Sequence, residues 1–189
     1  MKPTKIVGII SFVAGLVMIV AGAVTWGVVT SQLKDERITV AADAAPVMGI
    51  KVAGKNVAGP ITAFGQAEII KHHATAGSDG KTYAELGALQ TQAKNKAKEL
   101  GVDDLTSTDA DVVAKIEASP ELTQLKADLA KYTGQRTTQM NGAFLRTSLF
   151  SSVITYGVAA FVVGMGLMNL VYGWGFFSVA NRKERVAAE

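Results

Sequence analysis

The chain has 189 residues, no cysteine and a formal net charge of +3 at neutral pH. The lack of cysteine excludes a disulfide framework and a cysteine nucleophile. No basic stripe with interleaved aromatic residues is present, which argues against nucleic-acid binding. Apolar residues make up 49% of the chain and are concentrated in two segments, residues 6–29 and 149–180, that contain no charge.

The first apolar segment, residues 6–29, predicts a transmembrane helix. As a helix it reaches roughly 36 Å, which exceeds the roughly 30 Å hydrocarbon thickness of a bilayer. A signal peptide is the alternative, because Lys2 and Lys5 precede the segment and Ala21-Gly22-Ala23 resembles a cleavage site. The apolar run continues through Trp26, beyond the usual ~7–15 residues of a signal sequence, and we therefore interpret it as a retained anchor.

The connector between the two apolar segments, residues 30–148, begins with short extended stretches that predict a small β-hairpin. Residues 38–42 are one such stretch, and residues 50–53 and 56–60 flank a turn at Gly54-Lys55. From Ile61 the apolar spacing becomes helical and ends near residues 74–77.

Three further helices are predicted before the second apolar segment. Residues 82–100 begin with Thr82 and Glu85 at the spacing of a capping box. Residues 109–118 and 120–132 form two short amphipathic helices, with Gly134 as the expected stop. Residues 135–147 then lead into the second apolar segment, as a candidate extension of its helix.

The predicted fold class is a mainly α membrane protein with two transmembrane helices, residues 6–29 and 149–180. Residues 1–5 and the basic tail 181–189 hold five basic and two acidic residues, whereas residues 31–148 hold fourteen of each. The positive-inside rule therefore places both termini in the cytoplasm and residues 30–148 outside, as a mostly helical extracytoplasmic domain. The expected location is the plasma membrane, where the two helices would contact lipid.

Residues 68–86 carry the features that most resemble an active site. Gly80-Lys81-Thr82 matches the end of a phosphate loop, but the glycine required five positions before Gly80 is Thr75. His72 and His73 would point about 100° apart on a helix, which is a poor geometry for chelating one metal. We expect a turn followed by a capped helix, and no catalytic, cofactor or metal residues. The two histidines remain candidates for a partner contact or for pH sensing.

Glycines recur every seven residues in both apolar segments, and such positions lie nearly on one helix face. We predict these as helix-packing residues, because small residues let two backbones approach closely in a membrane. One interpretation is that the two helices simply pack on each other. The other is that Gly166/Gly173 and Gly157/Gly164, which lie roughly 180° apart, meet different neighbours: one pair meets the first helix and the other meets a different protein or lipid. The complete set is Gly8, Gly15, Gly22, Gly157, Gly164, Gly166 and Gly173.

Three motifs carry a resemblance to a known family: GPITAFGQAEII (59–70), GKTYAEL (80–86) and MNGAFLRTSLF (140–150). They resemble a family of small two-span actinobacterial membrane proteins, often named automatically as aromatic ring-opening dioxygenases. Two adjacent histidines do not provide the ligand set that such a non-haem iron enzyme needs. The two-span chain is also similar to accessory subunits of the actinobacterial cytochrome bc–cytochrome oxidase supercomplex.

The resemblance implies a non-catalytic accessory or assembly subunit of a large membrane complex, in this case a respiratory one, without bound cofactor. Its expected partners are other membrane-protein subunits, with no nucleic acid and no small-molecule substrate. The alternative is a free-standing envelope protein whose outer domain binds a ligand or a secreted partner.

Overall fold

The computed structural model describes residues 3–186, with side chains up to Arg182, and this part of the chain is mainly helical. Its five helices in chain order are α1 (Pro3–Asp35), α2 (Pro60–Gly77), α3 (Tyr83–Glu99), α4 (Ala110–Ala118) and α5 (Pro120–Val186). The prediction of a mainly α fold is therefore confirmed.

Two helices, α1 and α5, are long and apolar enough to cross a membrane. Only 17% of the most apolar window of each is buried within the protein. Large apolar side chains on both helices are exposed, for example Ile10 at 63% and Phe161 at 67%. A core helix of a soluble protein would be mostly covered. The expectation of two long apolar helices is confirmed, and their insertion in a membrane stays a prediction.

Helix α5 is longer than the sequence suggests, because it runs for 67 residues without interruption. The predicted stop at Gly134 is wrong. Glycine ends a helix where it adopts a left-handed backbone, and Gly134 does not have a positive φ. The start was predicted correctly: Pro120 is the first residue, and the backbone N–H of Leu122 donates to the Ser119 hydroxyl at 3.3 Å.

The structure divides into two compact units. The first contains residues 1–66 and 149–189, and the second contains residues 67–148. Helices α2 and α5 each contribute to both.

The predicted β-hairpin is wrong, since residues 3–186 contain only isolated bridges outside the helices. Thr39 pairs with Asn56, so the first extended stretch meets residues beyond the Gly54-Lys55 turn. A second bridge joins Val47 to Ile50 across a tight turn. The Val40 N–H donates to the Lys55 carbonyl oxygen at 2.9 Å, and the Val57 N–H donates to the Ile38 carbonyl oxygen at 2.8 Å. These bonds join two short stretches, but no extended strand forms within residues 3–186.

Hydrophobic burial holds this irregular segment in place. Val40, Val52 and Val57 are at most 1% exposed, as is Ala63 on α2. The Ala41 N–H also donates to the Gln66 side-chain oxygen at 3.2 Å. Packing against α2 and the backbone hydrogen bonds between residues 38–40 and 54–57 together hold this segment.

The second unit has its own apolar core, formed by α3, the loop between α3 and α4, α4 and the first part of α5. The buried members are Ala97, Val102, Leu105, Ile116, Leu122 and Leu129. The predicted helices over residues 82–100 and 109–118 are confirmed, with Thr82 and Asp109 as their N-caps.

Candidate helix-packing site

The three predicted glycines of α1 are buried against α5. A Cβ at Gly8 would lie 3.1 Å from the carbonyl oxygen of Gly173, and one at Gly15 would lie 2.7 Å from that of Gly166. A Cβ at Gly22 would lie 2.8 Å from the carbonyl oxygen of Ala159. A side chain on α1 at these positions would therefore push into the backbone of α5.

The contacts define an antiparallel helix pair with a regular repeat. Moving seven residues forward along α1, from Gly8 to Gly15, moves the contact seven residues back along α5, from Gly173 to Gly166. The buried positions on α5 follow this spacing and include Ala159 and Ala180. A repeat of 3.5 residues per turn is the pattern of helices that wind around each other with a left-handed supercoil.

A polar contact joins the same two helices near one end of the repeat. The Tyr156 hydroxyl and the Thr30 hydroxyl are 2.8 Å apart, and Tyr156 is 1% exposed. The Tyr156 ring meets Trp26 edge-on, with 4.6 Å between ring centroids. Sequence reasoning missed this contact. The available signal was that Tyr156 lies three residues before Ala159, on the buried face of α5.

The other predicted glycine pair of α5, Gly157 and Gly164, lies on an open surface. In the part of the chain that the structure describes, no atom within 4 Å would meet a Cβ at either position. Ile154, Phe161 and Met168 are 66%, 67% and 48% exposed and alternate with the two glycines at three- and four-residue intervals. We call these five residues the outer glycine face. On this face the two glycines lie next to a stripe of three large apolar side chains.

The segment at residues 68–86 folds as a turn that is tied to α5. Gln139 donates to the carbonyl oxygens of Ala74 at 3.1 Å and Lys81 at 2.9 Å. The buried Ser78 hydroxyl donates to the backbone oxygen of Gln135 at 3.3 Å. The Arg136 guanidinium lies over the Tyr83 ring, 4.0 Å from its centroid. The near phosphate loop is thus a hydrogen-bonded structural turn.

Asp79 is the centre of the charged contacts in this turn. Its carboxylate accepts from Lys131 and Gln135, each at 2.9 Å. The hydrogen bond from Lys131, followed by that from Gln135, lowers the pKa of Asp79 below its ordinary value. The same contact raises the pKa of Lys131. Lys131, Gln135 and Gln139 are spaced four residues apart on α5, so one face of this helix holds the whole turn.

His72 and His73 are exposed on α2, and their ring centroids are 5.9 Å apart. Glu68, four residues before His72 on α2, lies 3.8 Å from the Arg146 guanidinium. A role for either histidine in partner contact or pH sensing stays a prediction.

Comparison of the chain with protein-family models, with curated proteins and with solved structures gives no match.

Proposed function

We propose that this protein is a non-catalytic accessory or assembly subunit of a large membrane-protein complex. In this proposal α1 and the apolar part of α5 cross the plasma membrane, with both chain termini in the cytoplasm. The observation that carries it is the outer glycine face, which has the seven-residue glycine spacing of the internal helix contact but no helix of the described residues 3–186 against it.

The exposed apolar surface supports a membrane location. Val17, Phe161 and Trp174 are 62%, 67% and 71% exposed, and they lie on helices whose apolar segments carry no charge. Exposing so much apolar area to water would be costly, at about 25 cal/mol per Å². A bilayer removes that cost. In a bilayer, the excess of basic residues in the two tails also favours a cytoplasmic position for both chain ends.

The glycines support association with another helix. Lipid tails are as apolar as leucine, so helices associate in a membrane through close packing and hydrogen bonds. Gly8, Gly15 and Gly22 serve that purpose within the chain. Gly157 and Gly164 provide the same close approach on the opposite side of α5, where the proposed occupant is a helix of another subunit.

The polar groups within the two helices favour a packing role over transport. Ionisable side chains inside a membrane mark transport paths, and neither apolar segment contains one. Asn169 donates to the Met165 carbonyl oxygen on its own helix at 3.0 Å and contacts the Met18 sulfur at 3.8 Å. Its amide therefore serves the helix pair itself.

The respiratory cytochrome bc–oxidase assembly is the complex to test first. This choice rests on the resemblance of residues 59–70, 80–86 and 140–150 to small two-span actinobacterial proteins. The proposed task is to hold or assemble haem-containing subunits without binding haem.

Co-purification tests the proposal. A tagged full-length chain is extracted in mild detergent and separated by native electrophoresis, with haem absorbance and mass spectrometry as readouts. We expect it to migrate with a large complex. Replacing Gly157 and Gly164 together by isoleucine should release it, whereas Gly27→Ile should not, because Gly27 is also open but lies on α1 outside the outer glycine face.

Two results would contradict the proposal. Migration of the wild-type chain alone, with respiration unchanged on deletion, would favour a free-standing envelope protein. Co-migration that survives both glycine substitutions would show that the outer glycine face is not the contact.

A further inference from the structure

We propose that α1 and α5 form a binding site for one anionic phospholipid near the N-terminal end of α1 and the C-terminal end of α5. This inference rests on the proposed membrane location of the helices but not on the identity of any partner subunit. It starts from a cavity of 480 Å³ beside the glycine contact, a size within the usual range of ligand sites, roughly 300–1,000 Å³.

The part of this cavity that lies farther from Asn181 is apolar. Ile9, Phe12 and Val13 line it from α1, and Trp174 and Phe177 line it from α5. These residues follow three- and four-residue spacings, so they form one flank of the helix pair. Such a lining fits an acyl chain, which makes no hydrogen bonds.

The end of the cavity near the termini is polar. Ser178 and Asn181 line it there. From Trp174 to Asn181 the lining extends about 10 Å along the helix axis. The wall therefore changes from apolar to polar along its length, as a phospholipid does from acyl chain to glycerol and headgroup.

Basic residues lie next to the polar end of the cavity and favour a lipid with a negatively charged headgroup. Lys5 lies one turn before Ile9 on α1, and Arg182 follows Asn181 on α5 and is exposed. Basic pockets between membrane helices on the cytoplasmic side bind anionic headgroups. The occupant is therefore an anionic phospholipid rather than a zwitterionic one.

Fluorescence quenching in vesicles tests the site. The chain has two tryptophans, so Trp26→Phe leaves Trp174, which lines the cavity, as the only reporter. Full-length protein is reconstituted in phosphatidylcholine vesicles with a small fraction of dibrominated phosphatidylglycerol or dibrominated phosphatidylcholine. We expect phosphatidylglycerol to quench Trp174 more strongly at equal fraction. Arg182→Gln should reduce this preference roughly five-fold, the factor that corresponds to one basic residue near a membrane surface.

Matched variants locate the lipid. Val13→Phe fills the cavity from α1 and should abolish the preference, and Ile9→Phe serves the same purpose if Val13→Phe does not fold. Ile10→Phe is the control, because Ile10 lies at the same depth, is 63% exposed and does not line the cavity.

The outcomes separate the lipid site from the proposed function. Equal quenching by the two brominated lipids, in protein that floats with the vesicles, would overturn the lipid site and leave the membrane location standing. A preference that survives both cavity-filling variants would also overturn it. Protein that does not float with vesicles would overturn the membrane location and the lipid site together.

Discussion

Gly15 and Gly166 face each other across α1 and α5 with no room for a side chain on either. A Cβ at Gly15 would lie 2.7 Å from the Gly166 carbonyl oxygen, and a Cβ at Gly166 would lie 2.8 Å from the Gly15 carbonyl oxygen. Backbone atoms cannot rotate out of the way as the end of a side chain can. The separation of the two helices is therefore set by the absence of a side chain at both positions.

Replacing Gly15 by alanine should destabilise the helix pair. The added methyl group forces the helices apart, and overpacking of this kind costs about 1–3 kcal/mol. The measurement is thermal unfolding of the full chain in detergent, followed by circular dichroism.

Gly164→Ala is the matched control for Gly15→Ala. A Cβ at Gly164 meets nothing within 4 Å, and alanine is a better helix former than glycine by about 1 kcal/mol. Its unfolding temperature should equal or exceed that of the wild type. If the Gly15→Ala protein is as stable as the Gly164→Ala protein, the two helices can separate at Gly15 without a loss of stability.

Removing the Tyr156 hydroxyl should weaken the same helix pair by a smaller amount. Tyr156→Phe keeps the ring contact with Trp26 but loses the 2.8 Å hydrogen bond to Thr30. A hydrogen bond between neutral groups contributes about 0.5–1.5 kcal/mol. The unfolding measurement in detergent should detect a decrease of this size.

A double-mutant cycle identifies the partner of that hydroxyl. Thr30→Val and Tyr156→Phe should not be additive, because each removes the same hydrogen bond. Full additivity would mean that the two hydroxyls act independently.

The sequence predicts the two long helices and the spacing of their glycines, because charge-free length and a seven-residue repeat are local properties. It places Gly166 and Gly157 on opposite sides of α5 by arithmetic alone. It does not predict that α5 continues through Gly134, since Gln135 and Gln139 bond to a turn more than fifty residues away in sequence. Such distant contacts override local stop signals.

The irregular segment before α2 shows a second limit. Residues 38–60 have extended stretches and a turn, but which stretch pairs with which depends on how Val40, Val52 and Val57 are buried. The near phosphate loop was recognised correctly as a turn because its spacing fails. Its attachment to Lys131 and Gln135 could not be read from the motif.

Thr82→Ala should destabilise the start of α3. The Thr82 hydroxyl accepts from the Glu85 backbone N–H, and the Glu85 carboxylate accepts from the Thr82 N–H at 2.8 Å. Loss of an N-cap threonine costs about 1 kcal/mol. Amide hydrogen exchange should show faster exchange in the first turn of α3. Thr91→Ala is the control, because Thr91 lies in the middle of the helix and bonds only to the Gly87 carbonyl oxygen on its own helix.

The pH dependence of stability should report the Asp79 contacts. Because Lys131 and Gln135 lower the pKa of Asp79 below 3.8 in the folded protein, the unfolded chain takes up a proton first as pH falls. The stabilisation is therefore complete above about pH 4 and is lost as pH falls through the lowered folded pKa. The pH dependence from Lys131 has the opposite sign. Its contribution to stability is present below pH 10.5 and is lost as the pH rises through its raised pKa.

Asp79→Asn tests this dependence. Asp79 has a φ of +52°, a conformation that asparagine tolerates, so the substitution removes the charge without straining the turn. We expect the wild type to unfold at a higher temperature than Asp79→Asn at pH 7, and the difference to shrink as the pH is lowered from 4 towards 2.5. Asp103→Asn, which removes an exposed carboxylate elsewhere in the same unit, is the control for the substitution itself. A gap between wild type and Asp79→Asn that stays constant down to pH 2.5 would mean that the carboxylate charge does not stabilise the turn.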